Sequence, residues 1–432
     1  MPATVVIGGQ WGDEGKGRVV DLLAREATIV ARYSAGNNAG HTVINERGLF
    51  ALNIVPAGIF YGDKTCVIGN GVAIDPAVLL AELESLQSRG VSTERLQVSD
   101  RAHVVMPWHP LIDRADEAMR GPLAIGTTGR GVGPAFTDKV GRIGIRMADL
   151  IDAVSFPDRL RRVLDYKNAV LEKLYGIPPL DFATIRDQYR EFGERLAPYV
   201  VDTSILVQEA LDRGEEVLLE GAQGALLDVD FGTYEYVTSS VPSSSAAGAA
   251  LGVGIGPNEI RRVVGIYKAY NTRVGNGPMP TELLDETGER LRNTGERPEY
   301  GTTTGRARRC GWFDAVAARY TARLNGVTSA VVTRLDVLDS FPTIHACTAY
   351  QVDGAMLKGF PASATVLARA TPVYEEHPGW LTQTSGVRRW EDLPIQAQAY
   401  VRRIEEFLGA PVDLVSVGPE RDQAIHVRSI FS

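Results

Sequence analysis

Residues 8–17, which read GGQWGDEGKG, constrain the fold more than any other part of the chain. They follow a β-branched apolar run at residues 4–7 and overlap residues 15–25, where apolar side chains recur at helical spacing. A strand, a glycine-rich turn, a lysine and a helix form a phosphate cradle, because backbone N–H groups at a helix N-terminus point at an anion. The alternative is a glycine-rich turn that binds no ligand.

This motif departs from the strict P-loop pattern at two positions. The pattern would need glycine in place of Gln10, and serine or threonine in place of Gly17. The hydroxyl that usually binds Mg²⁺ is therefore missing, and Asp13 is the obvious replacement. A carboxylate in a phosphate cradle is unfavourable unless it binds a metal or takes up a proton.

Apolar β-branched runs alternate with helical patterns along the rest of the chain. Strands are predicted at residues 4–7, 29–33, 66–68, 217–220, 263–269, 330–333 and 413–417, and helices at residues 15–25, 77–87, 186–195, 203–213, 312–323 and 396–408. This alternation favours an α/β fold with a large, mostly parallel central sheet flanked by helices. Ligands of such sheets bind at the carboxyl ends of the strands, so the site is expected in the loops that follow them.

The domain organisation is interpreted as a single domain over residues 1–432. Residues 100–215 look mostly helical and are predicted to form an inserted subdomain. The small, glycine-rich stretch 239–256 lies between two predicted strands, and we interpret it as a loop inside the domain. A composition of 44% hydrophobic and 23% charged residues is typical of a globular protein that buries a large core.

Charge and cysteine content narrow the partners and the compartment. A formal charge of -8 argues against a general binder of nucleic acid or membrane surfaces, but not against small anionic ligands. Cys66, Cys310 and Cys347 form no Cys-x-x-Cys pair and are expected to be reduced thiols of a cytoplasmic protein. Neither a secretory signal nor an apolar run of about 20 residues, as a membrane span requires, is recognised.

Two glycine-rich loops carry side chains suited to an anion. Residues 36–42 (GNNAGHT) present His41 as a candidate acid or phosphate partner, although a lone loop histidine is more often structural. Residues 126–134 (GTTGRGVGP), followed by Lys139 and Arg142, combine hydroxyls, glycines and cations that suit a monophosphate. The alternative for the second loop is a set of solvated charges.

A carboxamide and an arginine-rich loop add further binding groups. Gln223 lies in residues 220–224 (EGAQG), and its amide can donate and accept at once, which suits a purine edge or caps a turn. Thr238 follows shortly afterwards and could reach the same ligand. The arginines of residues 301–309 (GTTTGRARR) can pair bidentately with carboxylate or phosphate on a loop that closes over substrate, or form a solvated basic turn.

Two strand ends near the carboxyl terminus indicate a base pocket. Asp336, in residues 333–336 (TRLD), can accept both N1–H and the 2-amino group of guanine, whereas adenine offers no such donor pair. This position therefore predicts a preference for GTP over ATP. Residues 416–419 (SVGP) could form the other wall of the pocket.

Together these motifs resemble those of the adenylosuccinate synthetases. Residues 10–17 (QWGDEGKG) resemble the first signature of that family, and residues 131–136 (GVGPAF) with Lys139 and Arg142 resemble the second. The remaining motifs fall in the family's order over almost the whole chain. The resemblance implies a parallel-sheet fold related to P-loop NTPases with inserted subdomains. It also implies GTP-dependent ligation of IMP to L-aspartate, the first committed step from IMP to AMP.

The resemblance implies a reaction in two steps. Asp13 would take the N1 proton of IMP, and O6 would attack the γ-phosphate of GTP to give 6-phosphoryl-IMP. His41 would stabilise the developing charge on the phosphate, and the amine of aspartate would then displace phosphate at C6. Mg²⁺ would be held by Asp13, the carbonyl of Gly40 and phosphate oxygens.

Binding residues follow from the resemblance position by position, and so does the oligomeric state. Arg142 resembles the family's arginine that reaches the IMP phosphate of the neighbouring subunit, which implies a homodimer with shared sites. The implied contacts are Asn38, Thr128, Arg142, Gln223, Thr238 and Val274 for IMP; Thr302, Thr303, Thr304 and Arg306 for L-aspartate; and Gly12, Gly15, Lys16, Gly17, Gly40, His41, Thr42, Arg308, Arg334, Asp336, Ser416 and Gly418 for GTP.

The chain departs from the family pattern at four positions. Arg334 stands where many members carry lysine, and Ala307 interrupts a run that is often all arginine. Val132 and Phe136 replace the more usual isoleucine and tyrosine. None of these touches Asp13, so guanine preference is the property most affected.

Two other functions compete with this reading of the motifs. A GTP-binding switch would use the phosphate loop and Asp336, but it would leave Gln223, Arg142 and residues 302–309 without a role. A ligase of the same nucleotide-binding class that acts on a non-purine acid is the second alternative. Binding of IMP distinguishes both from a synthetase.

Overall fold

The computed structural model describes residues 3–45, 47–243, 245–301 and 305–431. Its strands are β1 Ala3–Gly8, β2 Ile29–Arg32, β3 Ala35–Gly36, β4 His41–Asn45, β5 Gly48–Leu52, β6 Thr65–Ile68, β7 Val72–Ile74, β8 Leu96–Ser99, β9 His103–Val104, β10 Val200–Val201, β11 Val217–Gly224, β12 Ile260–Lys268, β13 Asn271–Arg273, β14 Arg309–Gly311, β15 Phe313–Asp314, β16 Ser329–Thr333, β17 Thr343–Val352, β18 Ala355–Met356, β19 Thr371–Pro378, β20 Val412–Ser416 and β21 Ala424–His426.

The helices lie mostly between these strands. They are α1 Lys16–Leu23, α2 Pro76–Ser88, α3 Trp108–Arg120, α4 Val132–Val140, α5 Met147–Ile151, α6 Phe156–Tyr175, α7 Phe182–Leu196, α8 Thr203–Asp212, α9 Ala246–Val253, α10 Glu286–Asn293, α11 Ala315–Asn325, α12 Ala364–Ala368 and α13 Ile395–Leu408. None of the helices in the described residues has the length and apolar character needed to cross a membrane.

A ten-stranded sheet forms the centre of the described structure, in the order β10-β8-β6-β2-β11-β1-β12-β16-β20-β21. Every neighbouring pair in it is parallel except β20 with β21. The predicted α/β class with a mostly parallel sheet is therefore confirmed. The parallel direction brings the carboxyl ends of β1, β2, β11, β12, β16 and β20 to one edge, where a site is expected.

The central strands are buried on both faces, which explains their continuous apolar runs. In β1, Val6 packs into one core with α1 and α2, whereas Val5 and Ile7 pack into another core with α8 and α9. Farther along the sheet, α11 and α13 cover β16 and β20 in a third core. Helices on both faces leave only the edge and the strand ends open to ligands.

Three details of the structure differ from the sequence-based expectations. The helix predicted at 312–323 begins at Ala315, because Phe313–Asp314 pairs with β17 and the Asp314 carboxylate caps the helix at the Ala317 N–H, at 3.0 Å. The stretch 239–256 is not wholly a loop, because it contains α9. Strand β11 extends through Gly224, so Gln223 lies in the strand and not in a turn after it.

Helix α9 was not predicted from the sequence because it consists mainly of small residues. A Cβ atom on Gly252 would lie 2.2 Å from the Tyr33 carbonyl oxygen, and one on Gly248 would lie 1.8 Å from that of Ser243. The helix therefore packs through glycine and alanine and carries no periodic pattern of large apolar side chains. Residues 100–215 contain α3 to α8, and their interpretation as a subdomain inserted into one domain stays a prediction.

Candidate active site

The phosphate loop lies between β1 and α1 and is held together by a buried glutamate. Glu14 Oε1 accepts hydrogen bonds from the backbone N–H groups of Gln10 at 3.0 Å and Gly12 at 2.9 Å. Its other oxygen pairs with Lys16 Nζ at 2.6 Å. Positive φ angles at Gly12, Asp13 and Gly15 complete the turn, and the helix begins at Lys16. The loop is therefore held by hydrogen bonds and an ion pair of its own, without a ligand.

Histidine explains why the loop lacks the hydroxyl of a P-loop. A Cβ atom on Gly17 would lie 2.8 Å from the Cβ atom of His41, which is closer than side-chain carbons approach one another. His41 opens β4, and the hairpin of β4 and β5 packs against α1. The space that a serine or threonine side chain would occupy at position 17 is thus filled by His41 of β4.

A buried carboxylate orients the His41 ring. The Nδ1 atom of His41 is hydrogen-bonded to Glu220 Oε1, and Glu220 Oε2 accepts from the Ala57 N–H at 2.8 Å. Burial lowers the pKa of His41 although Glu220 opposes this effect, so the neutral ring carries its proton on Nδ1. The Nε2 atom is buried and has no hydrogen-bond partner among the described residues. That nitrogen is available to a ligand.

The Asp13 carboxylate is paired with an arginine that also binds a second carboxylate. Arg308 Nε lies 2.6 Å from Asp13 Oδ2, and its Nη1 lies 2.7 Å from Glu299 Oε2. Glu299 is almost completely buried and also contacts Lys268 at 2.9 Å and Arg334 at 3.4 Å. Burial opposes ionisation of Glu299, but Lys268, Arg334 and Arg308 outweigh it and hold its pKa well below the usual range.

Two cavities adjoin at the carboxyl edge of the sheet. The first has a volume of about 260 Å³ and extends from the phosphate loop towards β20. The second has a volume of about 280 Å³ and lies between the phosphate loop and residues 125–133. Asp13, Gly40 and Ala222 line both cavities. A group bound in one cavity can therefore meet a group bound in the other at Asp13.

The first cavity contains most of the positions expected to bind GTP. The Arg18 guanidinium is hydrogen-bonded to Ser416 Oγ and to the Gly418 carbonyl at its far end. The expected residues that line this cavity are Gly15, Lys16, Gly17, Gly40, His41, Thr42, Arg308, Arg334, Ser416 and Gly418. Gly12 lines only the second cavity.

Asp336 lies beside the far end of the first cavity but is not among its lining residues. Its Oδ1 atom is buried and has no partner among the described residues. A Cβ atom on Gly295 would lie 3.4 Å from Asp336 Oδ2 and 3.7 Å from Arg334 Nη2. Burial raises the pKa of Asp336 to about 6. A buried carboxylate oxygen without a hydrogen-bond partner is unfavourable unless a ligand satisfies it.

The second cavity brings together five of the positions expected to bind IMP. Both the Oε1 and Nε2 atoms of Gln223 are buried without a partner among the described residues, and so is Asn38 Oδ1. Unsatisfied buried amides are rare in folded proteins, and here they line an open space. The expected residues that line this cavity are Asn38, Thr128, Gln223, Thr238 and Val274.

Besides Asp336, two expected site residues in the described part of the chain, Arg142 and Arg306, line neither cavity. Arg142 is exposed just beyond α4, with a positive φ of 63°, and lines neither cavity. Arg306 is also exposed; a Cβ atom on Gly126 would lie 3.8 Å from its Nη1 atom. Thr302, Thr303 and Thr304 lie outside the described residues.

The donors available to a metal are oxygens at the junction of the cavities. Asp13 offers a carboxylate and Gly40 a backbone carbonyl, and hard oxygen donors of this kind suit Mg²⁺, which keeps most of its ligands as water or phosphate. Among the described residues, no cluster of three or more histidine, cysteine or acidic side chains could hold a metal. Such a cluster is not required by a metal bound mainly through phosphate.

Sequence reasoning missed the buried charges behind the site. Glu14 and Glu220 stood in the quoted motifs, but nothing in those motifs distinguished them from ordinary loop acids. Lys268 lies inside the strand predicted at residues 263–269, and this lysine in an apolar run was its only signal. Glu299 carried no local signal, because its cationic partners are 9 to 35 residues away along the chain.

A phosphate loop at the edge of a parallel sheet, next to a second cavity with unpartnered amides, defines a nucleotide-dependent α/β enzyme. The sequence profile described as adenylosuccinate synthetase matches residues 5–425. The chain belongs to the adenylosuccinate synthetase family. It is therefore a ligase of purine biosynthesis that joins IMP to L-aspartate at the expense of GTP.

Known relatives cover the whole chain. The adenylosuccinate synthetase of Heliobacterium modesticaldum is 52% identical over 431 residues, which span 100% of both chains. That of Dehalococcoides mccartyi is 52% identical over 426 residues, with 99% of this chain and 100% of the relative covered.

Solved structures agree in fold. The fully ligated adenylosuccinate synthetase of Plasmodium falciparum is 35% identical, with a TM-score of 0.93 over 99% of this chain and 100% of that one. The succinoaminodeoxyadenylate synthetase of cyanophage S-2L is 22% identical, with a TM-score of 0.61 over 100% of this chain and 96% of that one, and shares the fold.

Proposed function

We propose that the first cavity binds GTP, that the second binds IMP, and that phosphoryl transfer takes place where they meet. The observation that carries this proposal is that Asp13 and Gly40 line both cavities. Phosphoryl transfer depends mainly on positioning and on neutralising charge, and this junction is surrounded by Lys16, His41 and Arg308. The product of the first step is 6-phosphoryl-IMP.

Asp13 is proposed as the base that takes the N1 proton of IMP. Its carboxylate is about one-third exposed and lies at the junction, so a purine in the second cavity can reach it. Removal of the proton makes O6 the nucleophile that attacks the γ-phosphate of GTP. Arg308, which holds Asp13 Oδ2 without substrate, then faces the transferred phosphate.

His41 is proposed to stabilise the charge that develops on the phosphate. Its Nδ1 is fixed by Glu220, so Nε2 is the atom directed to a ligand. When Nε2 gains a proton, the Glu220 carboxylate and the phosphate both stabilise the resulting cation. His41 then donates a hydrogen bond to the phosphate.

Mg²⁺ is proposed to bind at Asp13 and the Gly40 carbonyl, together with phosphate oxygens. When bound, it would neutralise charge on the phosphates and align them with IMP. The chain's own contribution is the position of both oxygen donors where the cavities join, and Lys16 and Arg308 supply cations on the side of the first cavity.

GTP is proposed to lie with its phosphates at the loop Gly12, Gly15, Lys16 and Gly17 and beside Thr42. Its guanine would then reach Ser416 and Gly418, while the flat guanidinium of Arg334 covers one face of the base. Asp336 would accept hydrogen bonds from N1 and the 2-amino group. Its unpartnered Oδ1 supports this assignment.

IMP is proposed to be held in the second cavity by Gln223 and Asn38, whose amide atoms lack protein partners. Thr128, Thr238 and the backbone of Val274 would complete its contacts. L-Aspartate would be bound by Arg306 with Thr302, Thr303 and Thr304. In support, the Arg306 guanidinium lies near Gly126, at the rim of the IMP cavity.

We further propose a homodimer in which Arg142 completes the IMP site of the neighbouring subunit. Arg142 is exposed and lines neither cavity of its own chain, although it follows shortly after the motif that forms part of the second cavity.

A cytoplasmic location is proposed as well. The free, buried state of Cys66, Cys310 and Cys347 supports it.

A GTP-binding switch is the weaker candidate, because it gives the second cavity and the Gln223 amide no ligand.

The proposed function is tested by the ultraviolet absorbance change on forming adenylosuccinate. The assay contains IMP, L-aspartate, Mg²⁺ and either GTP or ATP, and one component is omitted at a time. A signal that needs every component and prefers GTP is expected. GTP hydrolysis without that signal in folded protein would support the switch.

A further inference from the structure

The carboxylate of Glu299 is surrounded by cations from three segments of the chain. Lys268 ends β12, Arg308 precedes β14 and Arg334 follows β16. The hydroxyl of Tyr270 donates a further hydrogen bond to Glu299 Oε1. Because Glu299 is 1% exposed, water does not screen these interactions. One buried anion therefore organises a group of cationic side chains that line the first cavity.

The backbone around Glu299 is also fixed. Its N–H donates to the carbonyl of Arg292 at 2.7 Å, and its carbonyl accepts from the N–H of Arg308 at 2.8 Å. Arg334 Nη2 donates to the carbonyl of Arg297 at 2.7 Å. Glu299 and Arg308 thus belong to one hydrogen-bonded segment, residues 292–308, to which Arg334 is also hydrogen-bonded.

The two arginines that contact Glu299 have different neighbours on their other sides. Arg308 contacts Asp13, where the cavities join, whereas Arg334 lies near Asp336. Arg308 is shared between two carboxylates, and Mg²⁺ or a proton on Asp13 would weaken the attraction of Asp13 for Arg308. Glu299 is the partner that remains.

We propose that Glu299 is a positioning residue, which retains Arg308 in the site when Asp13 releases it and holds Arg334 at the base end. The inference rests on the proposed function of the first cavity. Without the Glu299 charge, Asp13 would be the carboxylate left to Arg308 of the two that it contacts. Arg308 would then remain bound to Asp13 and compete with substrate for its oxygens. The three cations would also repel one another and move Arg334 away from the base.

Glu299→Gln tests this role because it keeps the shape of the side chain and removes its charge. We expect folded protein with kcat about 100-fold lower and KM for GTP about tenfold higher, and with KM for IMP unchanged, since misplacement of a positioned group has effects of this size. Glu299→Asp, which keeps the charge, should recover part of kcat. Wild-type kinetic constants in folded Glu299→Gln protein would overturn the proposal.

A purely structural role for Glu299 would be to balance the charge of Lys268, and the double variant Glu299→Gln/Lys268→Met separates the two roles. It contains no uncompensated lysine, so it is also expected to fold if Glu299→Gln does not. If Glu299 positions the arginines, the kcat of the double variant should be as low as that of Glu299→Gln. It should also be at least tenfold lower than the kcat of Lys268→Met alone. Recovery to the level of Lys268→Met would overturn the proposal.

Asp314→Asn is the matched control, because Asp314 is a buried carboxylate that accepts a hydrogen bond from the Tyr350 hydroxyl and lines neither cavity. It should lower the melting temperature without changing either KM. Calorimetric titration of GTP alone into each variant measures nucleotide binding without product formation. It therefore tests the role of Glu299 independently of the proposed reaction. If wild-type protein made no product, GTP binding by Glu299→Gln would still test the positioning of Arg308 and Arg334.

Discussion

Gly17 and His41 are in such close contact that a single methyl group on the glycine would lie 2.8 Å from the histidine Cβ. In a P-loop this position carries the hydroxyl that binds Mg²⁺. Here the same space is given to a histidine held by Glu220. The two solutions exclude one another sterically, so a chain of this kind must obtain its metal ligand from elsewhere, and Asp13 is the proposed source.

Restoring the P-loop residue should therefore harm the enzyme. We expect Gly17→Ser to lower kcat at least about tenfold and to destabilise the fold by about 1–3 kcal/mol, because overpacking displaces His41. Gly386→Ala, at an exposed glycine with open space around its Cβ position, is the control and should change neither. Steady-state kinetics and thermal unfolding measure both effects. Normal activity of Gly17→Ser would remove the steric argument.

Replacing the proposed base should stop turnover and leave binding intact. Asp13→Ala is expected to remove detectable product formation, because no other carboxylate in the described residues lines both cavities. Asp100→Ala is the control, since Asp100 follows strand β8 of the same sheet but lines neither cavity. Product formation and binding of IMP should be measured together. Activity within about tenfold of wild type would exclude Asp13 as the base.

Asp336 should make GTP saturation depend on pH. Its pKa is raised to about 6 by burial, so it is protonated below that pH and loses one acceptor for the guanine donors. KM for GTP is expected to rise as pH falls through about 6, while KM for IMP changes less. In Asp336→Asn this dependence should disappear, with KM for GTP about tenfold higher throughout. An unchanged pH profile in the variant would place the titrating group elsewhere.

The same residue should lower stability when the site is empty. A carboxyl whose folded pKa lies above its unfolded value binds more protons when folded, so the free energy of unfolding falls as pH rises from about 4 to 6. Asp336→Asn is thus expected to stabilise nucleotide-free protein at pH 8 by on the order of 2 kcal/mol. Thermal unfolding at pH 5 and pH 8 measures this; a variant less stable than wild type at both would contradict it.

Arg142 offers a test of the shared site. Arg142→Leu should raise KM for IMP without affecting stability, because the side chain is exposed; Arg162→Leu, at an exposed position on α6, is the control. At an IMP concentration well below the KM of Arg142→Leu, mixing this variant with inactive Asp13→Ala should restore about one quarter of wild-type activity, since half of the dimers are hybrids with one intact site each. A mixture with no gain would argue against sharing.

The sequence predicted those parts of the molecule that local patterns encode. Buried β-branched runs identified seven strands of the central sheet, and most of the quoted motifs lie at or near a strand end, because parallel strands present their loops together. The β17–β19 unit was missed. Its strands expose alternate residues and pair antiparallel away from the main sheet, so they lack the continuous apolar runs that marked the others.

The side chains that face the ligands could be predicted from the sequence. The buried charged residues that hold those side chains in place could not. Gln223, Asn38 and His41 belong to glycine-rich sequence motifs whose polar side chains indicate ligand binding. Glu299 and Lys268 act through each other across the fold, and such pairs leave no mark in a local stretch of sequence. Arg142 is a different case, since its proposed partner is on another chain.

The buried pair of Glu14 and Lys16 has a consequence for selectivity. The lysine of this phosphate loop is already electrically compensated at 2.6 Å before any anion enters. A small inorganic anion therefore encounters a locally neutral cradle and gains little from Coulomb attraction alone. A ligand long enough to reach both the loop and the base end gains further contacts, so inorganic phosphate alone is expected to compete weakly with a nucleoside triphosphate.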